Sequence, residues 1–277
     1  MKVIYEPKGK AREYAPLACN LYRGCPHGCR YCYGPKVLRM KKADFHSESR
    51  MRPGLLGRLS DDCANMQAAG DKRPVLLYFV CDPYPPDEPS LVGTPEDIAR
   101  PDWPGTVTRA ALSYMQTYGV TPIILTKGGT RGCRDFDLLK AAGGWFGQTL
   151  AWRWGDEASR VYWEPQAAAL NDRAQAIVRA ARYGVNCWLS VEPVIGKGGA
   201  LGCLKGCRTW EVQHIKLGKM NGYDAETRAV ERSIDWPAYR EEARRILTDA
   251  GYLEIHEPGA FEVGTFYVKR ELREAGS

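Results

Sequence analysis

The sequence predicts an α/β fold, a partial (β/α)6 barrel with extensions at both ends. Short apolar, β-rich runs alternate with helical patterns after the first 70 or so residues, the sign of βα units on a parallel sheet. Glycines stand where the helical patterns stop, at Gly119, Gly184 and Gly251, the C-cap positions that favour a left-handed backbone. The runs number six, enough for an open barrel with its chemistry at the carboxyl ends of the strands.

In order along the chain, a first strand ends near Leu21, just before a cysteine-rich loop. Further strands are expected near Val75 to Cys81, Thr121 to Lys127, Thr149 to Trp154, Cys187 to Val191 and Val212 to Leu217. Between them, Thr106 to Tyr118 and Asn171 to Tyr183 carry helical spacing, and Asp235 to Ala250 repeats it. The Pro-rich and acidic stretch Pro83 to Pro104 falls inside a βα connection. Phe261 to Leu272 reads as a strand and a tail outside the barrel. No repeat or linker divides the chain, so residues 1–277 are expected to form one domain, with a core of about 18–222 and a C-terminal extension of about 223–277.

With 44% hydrophobic and 26% charged residues among 277, the chain has the material for a large core. No run approaches the roughly 18 to 20 apolar residues of a membrane span, and no leader pattern is present. A cytoplasmic protein is therefore expected, with no membrane partner. In that reducing compartment ten cysteines point to metal or redox chemistry rather than to disulfides. Residues 1–60 hold 13 Lys+Arg against 4 Asp+Glu, whereas the whole chain is only +6. The basic run through Lys36, Arg39, Lys41, Lys42, Arg50, Arg52 and Arg58 is either a solvated face or the footprint of a polyanion such as DNA or RNA.

The segment Asn20-Leu-Tyr-Arg-Gly-Cys25-Pro-His-Gly-Cys29-Arg-Tyr-Cys32-Tyr combines three thiols with two glycines. Thiolates are soft anionic ligands suited to iron–sulfur clusters, and Gly24 and Gly28 let the backbone curl around an inorganic core. Three cysteine ligands leave one iron of a [4Fe-4S] cubane open to another ligand. The alternative is a zinc site completed by His27 or another cysteine, although CxxxC followed by xxC is not a usual zinc-ribbon spacing.

The CxxxCxxC loop, with the aromatic Tyr31 before its last cysteine, resembles the signature of the radical S-adenosylmethionine (SAM) superfamily. Several further stretches resemble its branch of spore photoproduct lyase and the related DNA repair photolyases of the radical SAM type. These are Val80-Cys-Asp-Pro-Tyr-Pro-Pro-Asp-Glu88, Ile124-Leu-Thr-Lys127, Arg134-Asp-Phe-Asp-Leu-Leu, Trp163-Glu164-Pro165 followed by Arg173, and Gly218-Lys-Met-Asn221. The resemblance implies a radical SAM partial barrel in which Cys25, Cys29 and Cys32 hold the cluster while SAM chelates the open iron. Reductive cleavage of SAM then yields a 5′-deoxyadenosyl radical that abstracts hydrogen from substrate.

It further implies that Tyr31 contributes to the cofactor site and that Asp82 and Tyr84 lie near the SAM methionine, Asp82 accepting from its amino group. Lys127 would pair with the SAM carboxylate. Glu164 and Glu192, both before prolines, are expected at one barrel mouth to bind the SAM ribose or a polar substrate group, with Asn221 a further polar ligand. Arg173 either binds an anion or pairs with Glu164. In spore photoproduct lyase a hydrogen-donating cysteine stands a little before the equivalent of Asp82, whereas Cys81 is immediately before it. Cys81 is thus either a radical quencher or a buried strand thiol.

Outside these stretches, Cys203 and Cys207 with His214 are weak candidates for a second metal site. Trp152-Arg153-Trp154 mixes aromatic and basic residues as base-stacking surfaces do, although barrel packing explains it more simply. Gly128-Gly129 and the stretch Gly196 to Gly202 are expected to be flexible loops. The functional expectation is a lyase or isomerase that uses the radical on a nucleic-acid base, most plausibly a thymine-derived base in DNA, for repair or phage-type hypermodification. A flavodoxin or ferredoxin would supply electrons. A peptide or small-molecule substrate, and a non-enzymatic iron–sulfur or zinc protein, are the alternatives.

Overall fold

The computed structural model describes residues 2–94, 104–151 and 156–276. Its centre is an eight-stranded sheet in the order β1 (Leu17–Cys19), β4 (Val75–Leu77), β5 (Pro122–Thr126), β6 (Trp145–Thr149), β7 (Asn186–Val191), β8 (His214–Leu217), β10 (Thr265–Val268) and β9 (Leu253–Ile255), every neighbouring pair parallel. The first six strands follow chain order, apart from a small antiparallel pair, β2 (Tyr22–Arg23) and β3 (Arg50–Met51). This is the expected α/β partial barrel.

Helices Leu55–Ala68, Val107–Thr117, Phe136–Ala141, Leu170–Tyr183 and Lys197–Gly206 fall between successive strands. Each of the longer ones buries one apolar face. In Leu170–Tyr183 that face is Leu170, Ala174, Ile177 and Ala180, spaced as a helix requires. Gly184 then ends the helix with φ 84°, a conformation that costs a side-chain-bearing residue energy. Among the described residues, no helix is long and apolar enough to cross a membrane.

The barrel interior is filled. Ala15, Ala18, Leu76, Ile123, Trp145 and Trp188 cluster there, with Tyr14, Phe79, Leu125 and Phe261 packed against them. Lys216 is fully buried in this region, donating from Nζ to the carbonyls of Glu13 (2.8 Å) and Tyr14 (2.9 Å). Burial pushes its pKa well below the usual lysine range.

A partial barrel leaves a seam beyond β1, and the chain closes part of it with its own N-terminal segment. Glu13 ends a short 3₁₀ turn, Gly9–Glu13, and its Oε1 accepts from the Tyr267 hydroxyl (2.9 Å) and the Arg270 amide (2.6 Å). With the Lys216 bonds, these contacts tie the entry to β1 to β8 and β10.

Three expectations are corrected. The fourth barrel strand is Trp145–Thr149 rather than Thr149 to Trp154, and residues 152–155, including the tryptophans expected to pack together, lie outside the described residues. Gly147 and Gln148 disguise the strand. Gly147 is needed because the Trp188 indole fills the space of a Cβ, and Gln148 donates to the Gly129 carbonyl at 3.2 Å. The glycine-rich stretch after β7 is a helix, Lys197–Gly206, because Ala200, Leu201, Cys203 and Leu204 are buried, and such packing outweighs glycine's poor helix propensity. The C-terminal strand is not outside the barrel, since β10 pairs with β8 from Thr265↔His214 to Val268↔Leu217.

Candidate active site

A cavity of about 360 Å³ opens at the carboxyl ends of the strands. Cys25, Cys29 and Cys32 line it, with Cys81, Asp82 and Lys127 from the ends of β4 and β5, and Glu192, Asn221 and Lys269 from those of β7, β8 and β10.

The cysteine loop is bent by two left-handed glycines, Gly24 (φ 93°) and Gly28 (φ 67°). A side chain at Gly24 would strike the Glu48 carbonyl, so glycine is required there twice over. Outside anchors fix the loop: the Cys25 amide donates to the Phe45 carbonyl (2.8 Å) and the Arg30 amide to that of Trp163 (2.9 Å). Within it, the Cys32 amide donates to the Cys29 carbonyl (3.1 Å).

Burial pushes all three thiols up, and the Lys127 ammonium opposes burial at Cys29 and Cys32. Lys127 Nζ lies 5.7 Å from the centre of the Tyr31 ring. Buried thiolates are stabilised chiefly by a bound cation. Among the described residues no three His, Cys, Asp or Glu side chains converge as the shell of a single ion. Three soft donors spaced along a cavity wall, beside a lysine, fit an anionic iron–sulfur centre.

Asp82 does not have the free oxygens expected of a ligand for the SAM amino group. Oδ1 accepts from the Tyr84 amide (2.8 Å) and the Thr126 hydroxyl (2.6 Å), and Oδ2 from the Lys127 amide (2.7 Å) with His27 Nδ1 at 3.4 Å. A carboxylate has about four acceptor positions, and all are filled from within the chain. Burial opposes its ionisation, yet the His27 imidazole and these donors hold its pKa well below the usual carboxylate range. His27 Nε2 faces Arg131 Nη2 at 3.2 Å. Since an arginine only donates, His27 accepts at Nε2 and carries its proton on Nδ1, toward Asp82. The carboxylate thus ties the cysteine loop to the ends of β4 and β5.

Two other expected site residues sit behind the wall. Tyr84 is fully buried, with the Gly128 and Gly132 backbones packed on it, and does not line the cavity. Glu164 is likewise fully buried and absent from the wall. Its Oε2 pairs with Arg173 and its Oε1 accepts from the Tyr31 hydroxyl. Arg173 also donates to the carbonyls of Ala168 (2.9 Å) and Thr149 (3.0 Å), which decides for the structural reading of that arginine. Through Glu164, the pair holds Tyr31 in the cysteine loop.

Glu192 and Asn221 do reach the cavity. Glu192 Oε2 accepts from Lys269 Nζ (2.6 Å) and the Tyr14 hydroxyl (2.7 Å), whereas Oε1 receives only a long contact from Asn221 Nδ2 (3.5 Å). Asn221 Oδ1 accepts from Lys10 Nζ (2.9 Å). Lys269, Tyr14 and Lys10 are additions to the sequence reading. Lys269 directly follows β10 as Lys127 follows β5, so recognising β10 as a barrel-sheet strand would have found it. Cys81 also lines the cavity, and burial holds its pKa up at about 12. Cys203 and Cys207 are buried at the helix Lys197–Gly206, and His214 instead has Nδ1 2.9 Å from Thr265 Oγ1.

No family model matches the sequence, and no curated protein does. Among solved structures, spore photoproduct lyase with bound AdoMet and dinucleoside spore photoproduct superposes with a TM-score of 0.63 at 13% identity, over 96% of this chain and 78% of that one. The chain has the fold of the radical SAM enzymes. Within that fold, Streptococcus suis SuiB bound to S-adenosylmethionine gives a TM-score of 0.56 at 10% identity, covering 90% of this chain and 49% of SuiB. SuiB bound to the precursor peptide SuiA gives 0.55 at 9% identity.

Proposed function

We infer that this protein is a radical SAM enzyme acting on a nucleic-acid base, a thymine-derived base in DNA, whose substituent it cleaves or rearranges. One observation carries the reading: three thiols of a single CxxxCxxC loop line the cavity at the carboxyl ends of a parallel partial barrel. Cys25, Cys29 and Cys32 would hold three irons of a [4Fe-4S] cluster and leave the fourth to SAM. Cluster and SAM, when bound, would supply radical hydrogen-abstraction chemistry.

The chain's own groups divide the remaining work. Lys127, beside the cysteine loop and on the cavity wall, would hold the SAM carboxylate through a charge-assisted hydrogen bond. Glu192 Oε1 has acceptor capacity for a ribose hydroxyl, with Asn221 beside it. Asp82 and Glu164 act as positioning residues through His27 and Tyr31. Cys81 lines the cavity with its thiol 3.5 Å from the Tyr22 carbonyl; a hydrogen atom given from its S–H to a substrate radical would leave a thiyl radical on Cys81, to be reduced by one electron and one proton from the external donor.

The nucleic-acid substrate is supported by motif resemblance and by fold neighbours that carry dinucleoside spore photoproduct. A peptide substrate is the second reading, favoured by the fold likeness to SuiB bound to its precursor peptide. The separating experiment uses reconstituted, reduced protein with deuterium-labelled DNA or modified thymidine. Deuterium in 5′-deoxyadenosine supports the base. SAM cleavage unaffected by nucleic acid, with no deuterium transfer, removes it.

A further inference from the structure

A second concavity lies against the cysteine loop. Arg23, Arg50, Arg52 and Arg58 line it, all exposed, with Asp44 and Glu48 interleaved and Met40, Met51 and Leu55 among the remaining lining residues. It shares no lining residue with the cavity that holds the three thiols. Yet Arg23 belongs to this groove and Cys25 to the cavity, with only Gly24 between them.

The two are joined through the backbone of the first cysteine. The Phe45 carbonyl accepts from the Cys25 amide (2.8 Å), His46 Nδ1 lies 2.8 Å from the Cys25 carbonyl, and the Glu48 carbonyl occupies the space a side chain at Gly24 would need. The segment that presents Asp44, Ser47 and Glu48 to the groove therefore grips Cys25 at both its N–H and its C=O. A molecule seated in the groove is separated from the cluster site by one layer of hydrogen-bonded chain.

Four guanidinium groups against two carboxylates leave an excess of two positive charges on the described wall. Arg50 is paired with Glu48, Arg52 reaches the Asn20 carbonyl (3.3 Å), Arg23 Nε contacts Met40 Sδ (3.2 Å), and Arg58 has no partner among the described residues. Carboxylates set among the arginines repel a continuous phosphate track. A basic rim with thioether and aliphatic groups is instead the make-up of a transient protein contact with an acidic partner.

We propose that this groove is the docking site for the electron donor, a protein with an acidic face that carries a reduced flavin or an iron–sulfur centre. The inference rests on the cluster assigned to Cys25, Cys29 and Cys32 above. One electron leaves the donor's cofactor, which is oxidised by one electron, and enters the cluster, which is reduced by one; no bond forms and no proton is exchanged in this step. Donor and substrate then use concavities that share no lining residue, so reduction need not wait for the substrate cavity to empty.

The test compares wild type with the double variant Arg23→Glu/Arg58→Glu, its folding checked by circular dichroism. Binding of oxidised flavodoxin is measured at low and high salt, which needs no cluster, and SAM cleavage is measured with either reduced flavodoxin or dithionite. Wild type is expected to bind flavodoxin with salt-sensitive affinity. The variant should bind at least about tenfold more weakly, lose flavodoxin-supported cleavage in proportion, and keep dithionite-supported cleavage within about twofold. Absence of salt-sensitive binding by wild type, or unchanged binding by the folded variant, overturns the proposal. So does a variant that loses DNA binding while flavodoxin binding stays intact, which makes the groove a nucleic-acid surface. If flavodoxin binds through the arginines but dithionite yields no SAM cleavage in wild type, the docking site stands and the radical SAM reading fails.

Discussion

Replacing Asp82 by asparagine tests whether its carboxylate is a structural clamp or a SAM ligand. Each of its oxygens accepts two contacts from within the chain, so the new NH₂ faces two donors whichever way the amide turns. The less costly arrangement points it at the Tyr84 amide and the Thr126 hydroxyl, where the hydroxyl can reverse and accept but the amide N–H is left unpaired. One lost charge-assisted bond and one buried unsatisfied N–H together cost about 3 kcal/mol. With an unfolding entropy of about 2.1 cal/mol/K per residue over 277 residues, that loss lowers Tm by about 5 °C.

The pH dependence has a definite sign. The folded pKa of Asp82 is held below its ordinary 3.8, so its contribution is complete above that value and is lost as pH falls through the folded pKa. The Tm gap between wild type and Asp82→Asn should be full at pH 7 and narrow below about pH 4. Thermal unfolding of metal-free protein, followed by circular dichroism at both pH values, measures it. A gap of under about 1 °C at pH 7, with weakened SAM binding in the loaded protein, would refute the clamp and restore Asp82 as a direct ligand.

Other substitutions separate holding from positioning. Cys25→Ala, Cys29→Ala and Cys32→Ala should each fall well short of about four irons per chain after anaerobic reconstitution, and Cys81→Ala should not; iron analysis decides. Glu164→Ala strands the fully buried Arg173 and should cost about 3 to 5 kcal/mol, read from the denaturant midpoint. Glu192→Gln should weaken SAM binding about tenfold by removing a charged acceptor, while iron content is unchanged; anaerobic calorimetry of SAM binding and iron analysis check both.

The parts of this site legible in the sequence are those set by local spacing. The cysteine loop is set by the eight residues from Cys25 to Cys32 with bends at Gly24 and Gly28, and Gly119, Gly184 and Gly251 mark helix ends through a backbone preference that acts at one residue. Lys127, Glu192 and Asn221 were also within reach, because the end of a parallel strand is where such chemistry gathers. The misplaced elements have one cause in common. Gly147 and Gln148 make sense only beside Trp188 and Gly129, and the helix Lys197–Gly206 only with its buried face packed.

Acceptor capacity was the less legible property. Asp82 and Glu164 read as site carboxylates until their donors are known, and those donors come from β5, the cysteine loop and the helix Leu170–Tyr183. The donors of Asp82 lie as far as 55 residues before it and 45 after it in the chain. Tyr84 reads as a site residue because it stands two places beyond Asp82, but the chain turns it into the core against Gly128 and Gly132.

The central claim, that the three loop thiols make this chain a radical SAM enzyme, is tested most directly by product analysis after anaerobic reconstitution. Protein with its iron–sulfur centre is reduced with dithionite in the presence of SAM, and methionine and 5′-deoxyadenosine are quantified. The account predicts equimolar formation of the two by wild type and none by Cys29→Ala. A centre that assembles on Cys25, Cys29 and Cys32 yet leaves SAM intact on reduction, with no spectral change when SAM is added, would contradict it.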